Sequence, residues 1–393
     1  MDAPVVRHGL LGSVRPAIAD LPESGIVELV NHGREKPGLA QLWIGEGDLP
    51  TPGFIADAAV QALRDGHTFY THQRGIPPLR QGIADYLSRV YGVAVDGERV
   101  FVTVGGMQAI KLSMQALVGE GDEVAIVSPV WPNIYAAVEI MGGVVRPVPL
   151  ALSGEGWRLD LDRLFEACGS RTRAIFINSP GNPTGWMMSR DDMVRVRDFA
   201  RARGLWIVSD EVYGRLTYER DRAPSFLEIM APDERLIVVN TFSKNWSMTG
   251  WRVGWVVASA ELGQVYENLV QFNTSGTATF LQYGALAAIR DGEPVVQALR
   301  ERCRAGRDIV CDALATLLRV RYQRPSGSFY LFFSVDGEPD SRALAFRLVD
   351  EANVGLAPGS AFGPGGQGYL RLCFAASHDL LERAMERLAP ALR

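Results

Sequence analysis

The chain has 393 residues, is 47% hydrophobic and 22% charged, and carries a formal charge of −5 with a pI near 5.7. This is ordinary globular composition, long enough for two or three domains or for one large domain with a small satellite. It excludes a dominant basic surface for nucleic acid or anionic lipid, and no apolar run reaches the length of a membrane span.

In chain order, the opening MDAPVVRHGLLGSVRP has no basic region followed by an apolar core. That predicts a cytoplasmic protein without a secretory leader. A helical pattern, ESGIVELVNHGREK, and a loop, GEGDLPTP (45–52), come next. These first fifty residues could pack on either part of the remaining chain. The middle of the chain alternates short apolar runs with helical patterns. The predicted strands are RVFVTV (99–104), EVAIV (123–127), VVRPV (144–148), RAIFIN (173–178), LWIVS (205–209), LIVVNT (236–241) and RVGWVVA (252–258). Most are continuous apolar runs, as expected where both faces of a sheet are covered. Between the first two lies MQAIKLSMQALV, with apolar residues at helical spacing. Such βαβ alternation predicts an α/β fold with a mainly parallel, seven-stranded sheet flanked by helices. Beyond about residue 290 the texture changes. One long amphipathic helix begins at EPVVQALRERCRAGRD, and two strands, SFYLFFSV (328–335) and YLRLCF (369–374), lie among further helices. We therefore expect a smaller α+β domain from both chain ends. The expected divisions are 1–48 with the small domain, 49–290 as the large domain and 291–393 as the rest of the small one.

The four cysteines (Cys168, Cys303, Cys311, Cys373) form no C-x-x-C and the five histidines (His8, His32, His67, His72, His378) are scattered. We expect reduced, mostly buried thiols and no metal site. No G-x-S-x-G occurs, so a serine nucleophile has no support. GPGGQG (363–368) fits the dinucleotide pattern formally but precedes a strand instead of opening a helix, and is read as a loop.

Ligands of open parallel sheets bind just outside the C-terminal strand ends. The residues just beyond each predicted strand are therefore informative. Gly105 and Gly106 open a helix, whose free N–H groups suit an anion. Trp131 comes after the second strand, Asn182 sits in SPGNPTG, and Asp210, Glu211 and Tyr213 come after LWIVS. After LIVVNT comes TFSKNWSMTGWRVGW (241–255), with one lysine, Lys244, among small hydroxyls and Arg252 eight residues on. A lysine at a buried strand end has its charge suppressed or paired, and such lysines form Schiff bases with carbonyls. Thr241, Ser243, Arg252 and the Gly105–Gln108 turn, including Met107, suit a phosphate. A carbonyl and a phosphate on one ligand point to pyridoxal phosphate. Its ring nitrogen needs a buried carboxylate (Asp210), its phenolic oxygen needs donors (Tyr213, Asn182), and its face needs an aromatic ring (Trp131). Arg371 in YLRLCF suits a substrate carboxylate.

Each residue alone has a plainer reading. Lys244 would be a solvated lysine, Asp210 and Glu211 a helix-end charge pair, Trp131 core, and Arg371 a structural ion pair. Together, however, GEGDLPTP, FYTHQRGIPPLRQGIADY (69–86), TVGGMQA (103–109), SPGNPTG, SDEVYG (209–214), TFSKNWSMTGWRVGW, PSGSFY (325–330) and YLRLCF resemble the class I/II aminotransferases. These are fold type I pyridoxal-phosphate enzymes of the aspartate aminotransferase group, and the resemblance covers nearly the whole chain. It implies Lys244 as the Schiff-base lysine and proton carrier, Asp210 on the ring nitrogen, and Tyr213 with Asn182 on the phenolic oxygen. It also implies Trp131 stacked on the ring, Arg252 on the phosphate and Arg371 on the substrate carboxylate, with Gly45, Trp131 and Asn182 beside the substrate. Tyr70 matches the tyrosine that reaches the phosphate of a neighbouring subunit, which implies a homodimer. The expected reaction moves an amino group from an amino acid to a 2-oxo acid in ping-pong order. Two alternatives stay open on sequence alone: a β-lyase acting on sulfur amino acids, separable by pyruvate and ammonia release without an acceptor, and a non-enzymatic ligand-binding module. Relatives that favour acidic donors often carry lysine where this chain has Met107. The methionine therefore predicts neutral, apolar or aromatic donors, with His72 and Arg74 as the alternative source of a cation for an acidic side chain.

Overall fold

The computed structural model describes residues 9–154 and 156–393. His8, and most of the opening segment inspected for a leader, lie outside the described residues.

Seven strands form the large sheet: β2 (Val100–Thr103), β3 (Glu123–Ser128), β4 (Val144–Pro149), β7 (Thr172–Asn178), β8 (Trp206–Asp210), β9 (Leu236–Thr241) and β10 (Gly254–Val257). Their spatial order is β2-β10-β9-β8-β7-β3-β4. All neighbours run parallel except β10, which is antiparallel to both β2 and β9. Strands β2, β3, β9 and β10 are buried at every residue, because helices cover both faces of the sheet. β7 and β8 are buried except at Arg173 and Trp206, whereas β4 is buried only at Val148, which marks it as an outer strand; Pro147 and Pro149 are tolerated there because an edge strand leaves one side of its hydrogen-bonding unused. A hairpin that the sequence reading did not anticipate comes next, β5 (Ala151–Ser153) with β6 (Gly156–Arg158).

A second, four-stranded antiparallel sheet is built late in the chain. It contains β11 (Val320–Tyr322), β12 (Tyr330–Val335), β14 (Ala357–Pro358) and β15 (Tyr369–Cys373), in the order β11-β12-β15-β14. The long helix spans Glu293–Ala315 and packs on the helix His378–Leu392. The chain start joins this late part. Strand β1 (Ala40–Gln41) pairs in parallel with β13 (Val354–Gly355), and the helix Gly25–Gly33 packs on the helix Ser341–Glu351. All four cysteines are buried and unpaired. Among the described residues, no helix is long and apolar enough to cross a membrane.

Strand register places the site. Asn178 is level with Asp210, Asp210 with Val239, and Thr241 with Gly254, which is level in turn with Thr103. The ends of β2, β7, β8 and β9 thus open on one rim, with the N-terminus of the helix Gly105–Leu117 directed at it.

Candidate active site

A cavity of about 450 Å³ opens on this rim, within the range of small-molecule sites. It is lined by Gly45, Gly106, Met107, Trp131, Asn182, Asp210, Tyr213, Thr241, Ser243, Lys244, Arg252 and Arg371, all of them expected from sequence.

Lys244 ends the first turn after β9. Its Nζ donates to the Gly45 carbonyl at 2.7 Å and lies 5.9 Å from the Tyr213 ring centre and 5.7 Å from that of Phe329. Burial disfavours the ammonium form and lowers its pKa to about 8. Asp210, at the end of β8, is 4% exposed and among the described residues accepts only from the Val212 N–H, at 3.3 Å. Burial raises its pKa to about 7, against the weaker pull of that N–H and of Lys244. A buried carboxylate without a cation in contact is costly unless a ligand supplies the charge.

The rest of the rim is preorganised. Asn178 accepts from the Asn182 N–H at 2.7 Å and donates to the Asp210 carbonyl at 3.1 Å, tying the two strand ends together. Thr241 Oγ1 donates to the Val253 carbonyl at 3.0 Å, lies in hydrogen-bond contact with Ser243 Oγ at 2.9 Å and accepts from the Ser243 N–H at 3.2 Å. Arg252 takes a left-handed backbone, φ 54°, unusual for a residue with a side chain and typical of strained functional positions. Its Nη1 donates to the Thr249 carbonyl at 2.6 Å. Gly105 is also left-handed, φ +73°, and an added Cβ would lie 2.9 Å from Arg252 Cζ and closer still to Nη2. Only glycine lets the guanidinium lie against the helix N-terminus. Arg371 donates from Nη1 to Asn182 Oδ1 at 3.1 Å and from Nη2 to the Trp43 carbonyl, while its Nε has no partner among the described residues.

These groups fit pyridoxal phosphate: an amine of lowered pKa, a carboxylate in want of a cation, a tyrosine hydroxyl, an indole, and a cradle of glycine N–H groups, hydroxyls and an arginine. The fit rests on the unpaired burial of Asp210 and the Gly105–Arg252 approach.

Tyr70 was expected at the phosphate of a neighbouring subunit, and two residues expected at this chain's own site, Gly105 and Gln108, are not among the lining of the cavity. Gln108 does not reach the cavity. Its Oε1 accepts from the Val104 N–H at 2.6 Å, and its Nε2 donates to Asn273 Oδ1 at 2.8 Å and Thr274 Oγ1 at 3.0 Å. The side chain thus braces its own helix start, and any contribution of the turn to an anion comes from the backbone. Tyr70 is 94% exposed and lines a separate hollow with residues 68–71 and 274–278. Neither residue of the alternative cation source is free. Arg74 pairs with Glu98 at 2.9 Å and lies over the Phe101 ring, and the His72 Nδ1 accepts from the Arg74 N–H.

Sequence reasoning also missed residues. Ser24, Ile26, Val27 and Ile44 of the chain start line the cavity mouth, and the Trp43 carbonyl holds Arg371. In the sequence Tyr330 was legible only as the end of PSGSFY and as part of the strand SFYLFFSV; the pairing of β12 with the strand of Arg371 is what brings it to the cavity.

Known proteins resemble the chain over nearly its whole length. The family model described as aminotransferase class I and II matches residues 40–388. An aspartate aminotransferase of Thermotoga maritima is 36% identical over 376 residues, covering 94% of this chain and 97% of that one. An arginine–pyruvate transaminase of Pseudomonas aeruginosa is 37% identical over 352 residues, 88% of each chain. The crystal structure of an aromatic aminotransferase from Pyrococcus horikoshii superposes with a TM-score of 0.86 at 34% identity, covering 93% of this chain and 98% of that one.

Proposed function

Given that the chain belongs to the class I and II aminotransferases and is a pyridoxal-phosphate-dependent transaminase, we propose that it prefers neutral, apolar or aromatic amino acids as donors to a 2-oxo acid. The names of its relatives include aspartate, arginine and aromatic substrates, so family membership leaves the side-chain preference open. The observation that carries the preference is the charge inventory of the cavity. Among the described residues its three cations are Lys244, Arg252 and Arg371, and each is already engaged: one with the reacting carbon, one with phosphate, one with the substrate carboxylate. The outer wall is mostly apolar, formed by Met107, Ile110, Val27, Ile44 and Trp131, with Ser24 and Asn133 as its uncharged polar members. A distal carboxylate pressed against that wall would be desolvated without a partner, a cost of several kcal/mol, roughly, whereas methionine adapts to apolar groups.

The same reading assigns the work. Pyridoxal phosphate supplies a carbonyl that takes up the amino group and a cationic ring that draws electrons from the substrate Cα. Asp210 keeps the ring nitrogen protonated. Arg252, Thr241, Ser243 and the N–H groups of Gly105 and Gly106 hold the phosphate. Trp131 covers the ring face, and Asn182 and Tyr213 donate to the phenolic oxygen. Arg371 receives the substrate carboxylate and so turns Cα–H toward Lys244. The Lys244 Nζ takes that proton and returns it on the other side of the reaction; burial, which brings its pKa near working pH, equips it for both directions. We further propose that Phe69, Tyr70 and Phe272, 84%, 94% and 86% exposed, meet a second copy of the chain, and that the small domain comprises residues 1–48 and 291–393.

Half-reaction rates test the preference. Phenylalanine, leucine, methionine and alanine are compared with aspartate by the change in cofactor absorbance. Leucine or phenylalanine should lead. Aspartate reacting ten times faster than all four, about 1.4 kcal/mol of transition-state preference, would refute the wall argument.

A further inference from the structure

One buried hydroxyl at the site has no task in the assignment of roles to Lys244, Asp210, Tyr213 and Arg371. Tyr330 opens β12, is 0% exposed, and sits level with Cys373 of the strand that carries Arg371. Its hydroxyl lies 2.8 Å from that of Tyr213, and neither hydroxyl has another hydrogen-bond partner among the described residues. The two rings meet edge to face, with centroids 5.6 Å apart at 84°. The guanidinium of Arg371 lies over the Tyr330 ring, its Cζ 4.6 Å from the centroid.

This pair has two protons and one internal hydrogen bond. If Tyr213 donated, the Tyr330 proton would be left with no acceptor in a side chain that has no exposed surface. An unmade buried donor is the expensive case. If Tyr330 donates, the free proton belongs to Tyr213; both tyrosines line the cavity, but only Tyr213 keeps exposed surface, 3% against 0%. The second arrangement aims a donor at whatever oxygen the cavity receives. It also polarises that donor, since an O–H whose oxygen accepts a hydrogen bond gives its own proton more strongly.

We propose that Tyr330 is a positioning residue: its hydroxyl directs and strengthens Tyr213 as the donor to the phenolic oxygen of the cofactor, and its ring ties that donor to the arginine that receives the substrate carboxylate. This rests on the proposed placement of the cofactor. The charged and titratable groups around the pair are Arg371 and Cys373 from β15, Glu46 from the loop after β1, Asp210 from β8 and Lys244 after β9. All of them remain in place when only the Tyr330 hydroxyl is removed.

A donor on the phenolic oxygen draws charge from it and weakens its hold on a neighbouring proton. Weakening that donor therefore raises the pH midpoint of the cofactor's visible band. The experiment is a pH titration of that band, without substrate, in cofactor-loaded wild type, Tyr330→Phe, Tyr213→Phe and the double variant. Tyr330→Phe should raise the midpoint by about half a unit, a threefold change in the proton equilibrium. Tyr213→Phe should raise it further, and adding Tyr330→Phe to Tyr213→Phe should change nothing, because Tyr330 acts through Tyr213. A Tyr330→Phe midpoint within about 0.1 unit of wild type, or an equal shift in the Tyr213→Phe background, overturns the proposal. A wild-type protein that takes up no cofactor overturns the cofactor reading instead, so the two failures are distinct.

Discussion

Gly105→Ala tests the phosphate cradle with one methyl group. Two costs can be worked from the structure. The first is conformational: at φ +73° a residue with a Cβ loses about 1–2 kcal/mol in the left-handed region. The second is steric: the Cβ would lie 2.9 Å from Arg252 Cζ, where ordinary packing needs roughly 3.5–4.0 Å. The guanidinium is the free end of a flexible side chain, so it swings away while the backbone stays. The phosphate then loses a charge-assisted hydrogen bond of about 1.5–3 kcal/mol, and cofactor affinity falls about ten- to hundredfold. Equilibrium dialysis of apoprotein against cofactor measures this directly. Gly92→Ala is the control: φ there is +69° with nothing within 4 Å, so it carries the backbone cost alone. It should lower stability without moving cofactor affinity. If Gly105→Ala binds cofactor within twofold of Gly92→Ala, Arg252 does not hold the phosphate.

The same geometry carries further outcomes. In wild type, borohydride should fix the cofactor to the protein; in Lys244→Ala it should not, and amino transfer should stop. Near-normal turnover by Lys244→Ala would remove that residue from its role. Met107→Lys places a cation in the apolar wall and should raise the aspartate-to-phenylalanine ratio of half-reaction rates about tenfold or more; an unchanged ratio would mean the distal side chain sits elsewhere. Light scattering should give a mass twice that of the 43.0 kDa chain, and a fully active monomer would exclude a shared site. Burial raises the Glu211 pKa from 4.5 to about 7, so the folded chain keeps a proton that the unfolded chain loses. That stabilisation is complete below about pH 4.5 and is lost as pH rises through about 7. Glu211→Gln should therefore reduce the fall in urea midpoint between about pH 5 and 8, and an identical fall in both proteins would refute the assignment.

The sequence made legible whatever sits within a few residues of a strand end. Lys244, Asp210 and Asn182 are positioned by β9, β8 and β7, whose continuous apolar runs are unmistakable, and register then brings the three ends level. Direction and return were not legible. Gln108 shares a turn with Gly106, yet its side chain bends back to the Val104 N–H, and spacing carries no rotamer. Tyr330 belongs to the site only because β12 pairs with β15. Val27, Trp43 and Ile44 arrive from the far end of the chain, and no local pattern announces such a contact. The hairpin β5–β6 escaped notice because its strands are too short for alternation to show.

The pairing of β1 with β13 has a consequence for synthesis. Trp43 and Gly45 supply the carbonyls that hold Arg371 and Lys244, but β1, the strand just before them, has no partner among the described strands until Val354 and Gly355 exist, more than three hundred residues later. At roughly 5–20 residues per second the first-made wall of the pocket waits some tens of seconds on the ribosome for its partner. The seven-stranded sheet is complete by residue 257 and can fold meanwhile. The nascent chain thus carries a finished floor and an unfinished wall, and the making of Val354 and Gly355, not that of Lys244, sets the moment from which the pocket can close.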